Sequence, residues 1–433
     1  MSDRKNERMN PMMKPGRIIT ATDFMNRPAW FNAMNRVWSR SHVPGKGRSL
    51  NKDELIRAAR VESGLHNLGK DFWDEPLDRL IHALNHEANL HPIGHFISQK
   101  RIINLLGVRL RAEHWIRKFP EILDQELYPP LVIVGLQRTG TTKLHRLLTA
   151  DPSNRVLRSW EAINPAPYLR NGHRKDKRIH VARISERALR LMTPGFFAIH
   201  PVEYSAPEED ILLLDVTFLS TTPEATAHVP SYATWLEGTD QSYAYEYGSR
   251  LLKLLQWQQP GQRWILKSPH HLEFLPLIAR YYGDPHFVWT HRDPAECIPS
   301  FLSMVCHSRV IFSDHVDIRE VTRHWVRKTE YMLNKGLAFR MEGSHEKYFT
   351  DLMYEELVTD PLDQLEKIYN RYDGINASLR AGFKKADLEN PQGKYGIHEY
   401  SLSDFGLSEE ELTRRNATYY EHYRRLEKGI KAQ

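Results

Sequence analysis

Between Gly135 and Thr142 the chain reads Gly-Leu-Gln-Arg-Thr-Gly-Thr-Thr, a glycine-bracketed polar loop whose spacing suits a bound phosphate. Glycines let a backbone close around an anion, and unpaired N–H groups at the start of a following helix face it with the positive end of the helix dipole. The G-x-x-x-x-G spacing is that of a nucleoside-triphosphate loop, but Thr141 stands where a triphosphatase needs the lysine that reaches the terminal phosphates. The cation sits at Arg138 instead. Two more stretches have a related character: Lys267-Ser-Pro-His270-His271 and His291-Arg292-Asp-Pro each place basic, polar residues directly behind a short apolar run.

The elements that must hold these residues follow from the flanking pattern. Pro129 and Pro130 stop what precedes the loop, and Leu131 to Val134 is an uninterrupted apolar run, suited to a strand buried on both faces of a parallel sheet. After Thr141, the spacing of Leu144, Leu147 and Leu148 predicts a helix. Arg263 to Leu266 and His286 to Thr290 read as two further strands, each running into a helix. In an open parallel sheet ligands sit at the carboxyl ends of strands, so the three junctions are expected to converge on one crevice.

A donor carrying one singly charged transferable group on a 5′-phosphate needs less neutralisation at the Thr141 position than a triphosphate with magnesium, which describes 3′-phosphoadenosine-5′-phosphosulfate (PAPS). The run Arg138-Thr139-Gly140-Thr141-Thr142 resembles the 5′-phosphosulfate loop of sulfotransferases, a basic residue, a small residue, Gly, Thr, Thr. Arg292, just after a strand, and Ser300, eight residues later, resemble the 3′-phosphate motif of that superfamily. A planar guanidinium fork and a neutral hydroxyl donor suit such a phosphate. The LKSPHH and THRDP segments, and Trp160-Glu161 after the first loop, resemble a bacterial-type branch. The resemblance covers about residues 125 to 405 and implies a PAPS-dependent sulfotransferase acting on a hydroxyl (or amine) of a small-molecule or lipid acceptor.

By the same resemblance Lys267 matches the lysine before the catalytic histidine of cytosolic sulfotransferases and would stabilise the leaving oxygen, while Arg138 holds the donor's 5′ end. The relatives have histidine two residues after that lysine; here Pro269 takes the place and His270 and His271 follow. His270, closer to the strand end, is the preferred base, with His271 and Glu209 as alternatives, since other sulfotransferases use a glutamate. The relatives also carry tryptophan after the Thr-Thr pair, where this chain has Lys143. Lys394, in a glycine-containing basic tail, resembles part of a loop that family members close over the nucleotide, and the segment reads equally as a plain surface loop. No metal is implied.

Composition sets wider bounds. With 433 residues, 41% hydrophobic and 26% charged, the chain is of the soluble globular class. A net charge of +6 favours anionic ligands but is too diffuse for nucleic acid, and no RNA-binding or zinc-finger signature is present. Two cysteines, Cys297 and Cys306, argue against a disulfide framework and for a reducing cytoplasm. No apolar run is long enough to span a membrane, and the charged, proline-broken first residues are not a signal peptide.

Residues 1 to about 48 read as an extended arm, and Asn51-x-x-Glu54 opens the first of several helices that fill the chain to residue 125. The expected organisation is therefore an N-terminal arm and helical region over 1–125, and over 126–433 an α/β PAPS-binding domain with a P-loop-like parallel sheet flanked by helices. His82, His86, Glu87, His91 and His95 do not make the H-E-x-x-H spacing of a zinc helix and are expected on surfaces or in packing. Residues 170 to 190 carry a basic stripe on an amphipathic helix, expected as a solvated face. Two rival functions remain: a P-loop kinase or nucleotide hydrolase, against which Thr141 argues, and a non-catalytic binder of 3′,5′-phosphorylated adenosine. Oligomeric state does not follow from the sequence.

Overall fold

Pro129 and Pro130 lead directly into a strand in the computed structural model, which describes residues 18–40, 49–70, 72–169, 176–343, 345–391 and 397–429. The strands are β1 (Ile18–Thr20), β2 (Leu131–Val134), β3 (Asn154–Val156), β4 (Arg263–Lys267), β5 (His286–His291), β6 (Phe349–Met353) and β7 (Ile397–Glu399). Five of them form one parallel sheet in the order β3-β4-β2-β5-β6, and β1 pairs with β7 in a separate two-stranded parallel ribbon. Every residue of β2 is buried, as its unbroken apolar run requires. Side chains alternate across it: Leu131 and Ile133 pack with Leu144, Leu148, Val288 and Leu352 on one face, while Val132 and Val134 join Trp264, Leu266 and Trp289 on the other. The second core runs on without interruption into the N-terminal helices through Leu77, Leu80 and Leu106.

Register decides where the loops leave. Ile133 pairs with Lys267 on one side and Val288 on the other, and Val134 with Trp289, so β4, β2 and β5 end side by side. The expected α/β architecture, a parallel sheet with flanking helices and a helical region before it, is what the chain adopts. The helix Lys52–Ser63 begins and ends as its caps predict: Asn51 accepts from Glu54 N, and Gly64 at φ 68° closes it.

The extended arm is corrected in its described parts. Besides β1, a helix runs from Ala29 to Arg40. Trp30, Phe31, Met34, Val37 and Trp38 fall at helical spacing, a signal the arm reading missed; the helix is held by tertiary contacts, with Phe31 fully buried against the His91 ring and Asn35 Oδ1 accepting from Ile93 N at 3.0 Å. Residues 1–17 and 41–48 lie outside the described residues. His91 Nδ1 accepts from Gly94 N at 2.9 Å as a helix cap, while His82 and His86 stack on each other.

Gly135 is required where β2 turns into the loop. Its φ is +134°, and a Cβ there would lie 2.5 Å from the Thr290 carbonyl oxygen of β5. Gly135→Ala is accordingly expected to destabilise the protein by at least about 2 kcal/mol, seen as a lower melting temperature, because neither backbone can retreat from the sheet.

Candidate active site

The loop after β2 is a strained turn pinned to β5. Arg138 has φ +73°, uncommon for a residue with a side chain, and Gly140 at φ +88° precedes the helix Thr141–Leu148, whose start no side chain caps. Thr139 is fully buried; its hydroxyl donates to the Leu136 carbonyl at 2.7 Å and lies 2.7 Å from Thr290 Oγ1. That leaves the N–H groups of the helix's first turn for an anion, as the sequence of Thr139 to Thr142 suggests.

Arg138 reaches across to the second motif. Its Nε donates to Ser300 Oγ at 3.1 Å and its Nη1 to the Ile199 carbonyl at 3.4 Å, while Arg292 Nη1 donates to the Arg138 carbonyl at 3.2 Å. Burial lowers the pKa of the Arg138 guanidinium, with the neighbouring charge of Arg292 acting in the same direction. Two guanidinium groups and one hydroxyl thus share a small volume at the ends of β2 and β5. Among the described residues, no carboxylate pairs with Arg138. Arg292 is held by Glu296 at 2.7 and 2.9 Å and lies over the Tyr354 ring at 4.2 Å. Ser300, fully buried, rides on the helix Pro294–Arg309, capped by Asp293.

The end of β5 is braced from below. His291 Nε2 lies 2.9 Å from Asp351 Oδ1, and Arg340 makes hydrogen bonds of 2.6 and 2.7 Å to the same carboxylate. With His422 these groups lie close enough for metal ligation, but the Arg340 guanidinium already supplies the positive charge that a cation would bring.

At the end of β4 the polar residues sort themselves. Lys267, almost wholly buried, donates from Nζ to Glu209 Oε1 at 2.6 Å, and its backbone N–H donates to Asp210 Oδ1 at 3.1 Å. Asp210 Oδ2 takes a hydrogen bond from His271 Nε2 at 2.8 Å, and Tyr245 OH is 3.0 Å from His271 Nδ1. Against the penalty of burial, His271 and its hydrogen bond hold the Asp210 carboxyl below its usual range. His271 therefore has both ring nitrogens engaged in a fully buried chain. His270 differs: Nδ1 meets Thr221 Oγ1 at 3.3 Å, and Nε2 has no partner among the described residues. Burial, with the charges of His271 and Lys328 nearby, drives its pKa well below 6.5 and keeps the ring neutral.

Beside this junction lies a cavity of about 440 Å³. Gln137 from the phosphate loop, Glu209, Ser268 and His270 form part of its wall, with Phe196, Ile211, Phe301 and Trp325 among its apolar residues and Arg101, Asp215, Glu273 and Lys328 among its charged ones. Such a volume suits a drug-sized molecule with an apolar body.

The structure thus brings Arg138, Thr139, Gly140, Thr141, Thr142, Arg292 and Ser300 to one side of the strand ends and Lys267, Glu209 and His270 to the adjoining side. Lys394 lies outside the described residues. Lys143, in the position where relatives carry tryptophan, is tied to Asp387 at 2.5 Å. Sequence reasoning passed over Tyr354. Tyr354 follows β6 directly, just as Arg292 follows β5, and that parallel was the available signal.

Comparison with known proteins agrees with this geometry. The structure is similar to that of sulfotransferase STF1 from Mycobacterium tuberculosis H37Rv, with a TM-score of 0.75 and 29% identity over 86% of this chain and 99% of that one. It is equally similar to sulfotransferase STF9 from Mycobacterium avium, with a TM-score of 0.76 and 26% identity over 87% and 97%. No curated protein sequence matches. The family model described as "Sulfotransferase family" matches residues 129–374, which take in both arginine motifs, β4 and most of the cavity wall, and the chain belongs to that family.

Proposed function

We propose that the protein transfers a sulfuryl group from PAPS to a hydroxyl, or amine, of an apolar small-molecule or lipid acceptor by in-line displacement. The observation that carries this reading is the junction of the two phosphate motifs, where Arg138 Nε meets Ser300 Oγ at 3.1 Å and Arg292 Nη1 meets the Arg138 carbonyl at 3.2 Å. A donor phosphorylated at both 3′ and 5′ positions matches paired guanidinium groups of which one lacks a carboxylate partner. The loop from Arg138 to Thr142 would hold the 5′ end and Arg292 with Ser300 the 3′-phosphate. When bound, the donor supplies an activated sulfuryl group.

The chain's own residues account for the rest. Glu209 lies on the cavity wall and takes the acceptor's proton; we assign it the base ahead of His270, because burial without a carboxylate partner makes an imidazolium there costly. His270 Nε2 is left to orient the acceptor through a hydrogen bond. In the resting protein Glu209 and Lys267 neutralise each other at 2.6 Å. Once Glu209 is protonated its hold on Lys267 weakens, so the ammonium becomes available to the departing phosphate oxygen as charge develops there. The apolar wall excludes water, which would otherwise compete as acceptor.

The first test is binding. In magnesium-free buffer, 3′,5′-bisphosphoadenosine at about a hundred times its Kd should stabilise the protein by about 2.7 kcal/mol, read as a rise in melting temperature. The rise should be absent in Arg292→Ala and not reproduced by 5′-AMP. Stabilisation by ATP with magnesium, and none by the bisphosphate, would overturn the reading.

A further inference from the structure

The helix Lys177–Met192 carries a surface that the site does not use. Lys177, His180, Arg183, Ile184, Arg187 and Leu191 are its exposed long side chains, and at 3.6 residues per turn they fall within an arc of about 120°. Arg178 and Ala182 face the other way and are buried. Ile184 is 51% exposed and Leu191 58%, one above the other two turns apart. A single exposed apolar residue is ordinary; two aligned on one face and interleaved with cations are not.

The charges on this face are unbalanced. The helix's own carboxylate, Glu186, is taken up by Arg190 at 2.8 Å and by the Tyr204 N–H at 3.0 Å, and the capping Asp176 is paired with Arg178 at 2.7 Å. Lys177 lies over the Tyr168 ring, Arg183 over the Tyr204 ring, and among the described residues neither they nor Arg187 pair with an acid. A face with exposed aliphatic side chains and net positive charge fits a surface that is apolar in depth and anionic at its boundary, which is the chemistry of an anionic lipid bilayer. A solvated face would have no use for Ile184 and Leu191, and a nucleic acid no use for either aliphatic group.

The helix also leads straight into the site. It is followed by the short helix Pro194–Ile199, whose Phe196 lines the acceptor cavity and whose Ile199 carbonyl accepts from Arg138 Nη1. We propose that the exposed face of Lys177–Met192 docks the protein on anionic membrane surfaces, seating Ile184 and Leu191 among the acyl chains beneath the headgroups. Docking there holds the acceptor cavity near a lipid phase, where apolar acceptors are concentrated. The docking itself does not depend on the sulfuryl-transfer reading.

Sedimentation of the full-length protein with vesicles tests the inference. Vesicles of phosphatidylcholine with phosphatidylglycerol should bind it, vesicles of phosphatidylcholine alone should bind it much less, and added salt should weaken the binding. Neutralising two cations in Lys177→Gln/Arg187→Gln should weaken binding roughly 30-fold. Ile184→Ser/Leu191→Ser, which keeps every charge, should also weaken it. All four positions are exposed, so melting temperature and bisphosphoadenosine binding should stay as in the parent, which separates loss of docking from loss of fold or site. Equal binding to both kinds of vesicle, or anionic binding unchanged in both variants, would overturn the proposal. So would heparin binding that is abolished by the charge variant alone, with no vesicle binding by the parent.

Discussion

Lys267→Met should lower kcat by about a thousandfold while leaving bisphosphoadenosine binding within a few fold. Lys267 is buried at the end of β4 and spends its charge on Glu209 in the resting protein, so it contributes little to binding the bisphosphate there. Its charge is needed when the phosphate oxygen departs, and methionine keeps most of the stem without the ammonium. Steady-state and single-turnover rates with a model alcohol would measure the loss. A kcat within tenfold of the parent would remove Lys267 from the chemistry. The partner variant Glu209→Gln should lose a comparable factor in kcat, since an amide cannot take the proton. A near-parent kcat in Glu209→Gln, with the large loss found in His270→Gln instead, would move the base to His270.

Arg138→Gly should abolish the thermal shift given by bisphosphoadenosine and lower kcat/KM by at least about a thousandfold. Glycine is the informative replacement because Arg138 has a φ of +73°, which glycine adopts at no cost. The free protein should therefore melt at nearly the parent temperature or slightly above it, as burial of a guanidinium is also removed. Loss of donor binding without loss of stability is what a residue serving an anion should show. If Arg138 were instead a structural link between the loop and Ser300, the variant would melt lower and still respond to the bisphosphate. Lysine should not restore function, since it lacks the planar fork that can hold two oxygens of one anion.

The strand, loop and helix from Leu131 to Leu148 were legible because their signals are local: an unbroken apolar run, two glycines and leucines at helical spacing. The convergence of three junctions was legible as well, since parallel strands present their carboxyl ends together. The choice between His270 and His271 was not. They occupy a single 3₁₀ turn, Pro269–Glu273, in which successive side chains diverge by about 120°, so one step along the chain separates a ring lining the cavity from one locked to Asp210 and Tyr245. Asp210 and Tyr245 reach that ring from distant segments, and Tyr354 comes to Arg292 from another strand; no spacing within a motif encodes such meetings. The helix Ala29–Arg40 was legible too, since Trp30, Phe31, Met34, Val37 and Trp38 keep helical spacing; what the sequence does not encode is that Phe31 and Asn35 find their partners near His91 and Ile93.

The pairing of β2 has a bearing on how the chain must fold. Leu131 finds its neighbours only at Ile265 and His286, so the loop Gly135–Gly140 leaves the ribosome long before either flanking strand has been synthesised. Contacts of such sequence separation form late and make folding slow. Until then Leu131–Val134 is an exposed sticky segment in a nascent chain, open to mispairing and in need of shelter by a chaperone. A polypeptide cut before residue 286 would contain the whole phosphate-loop motif and lack the seat that gives the loop its shape.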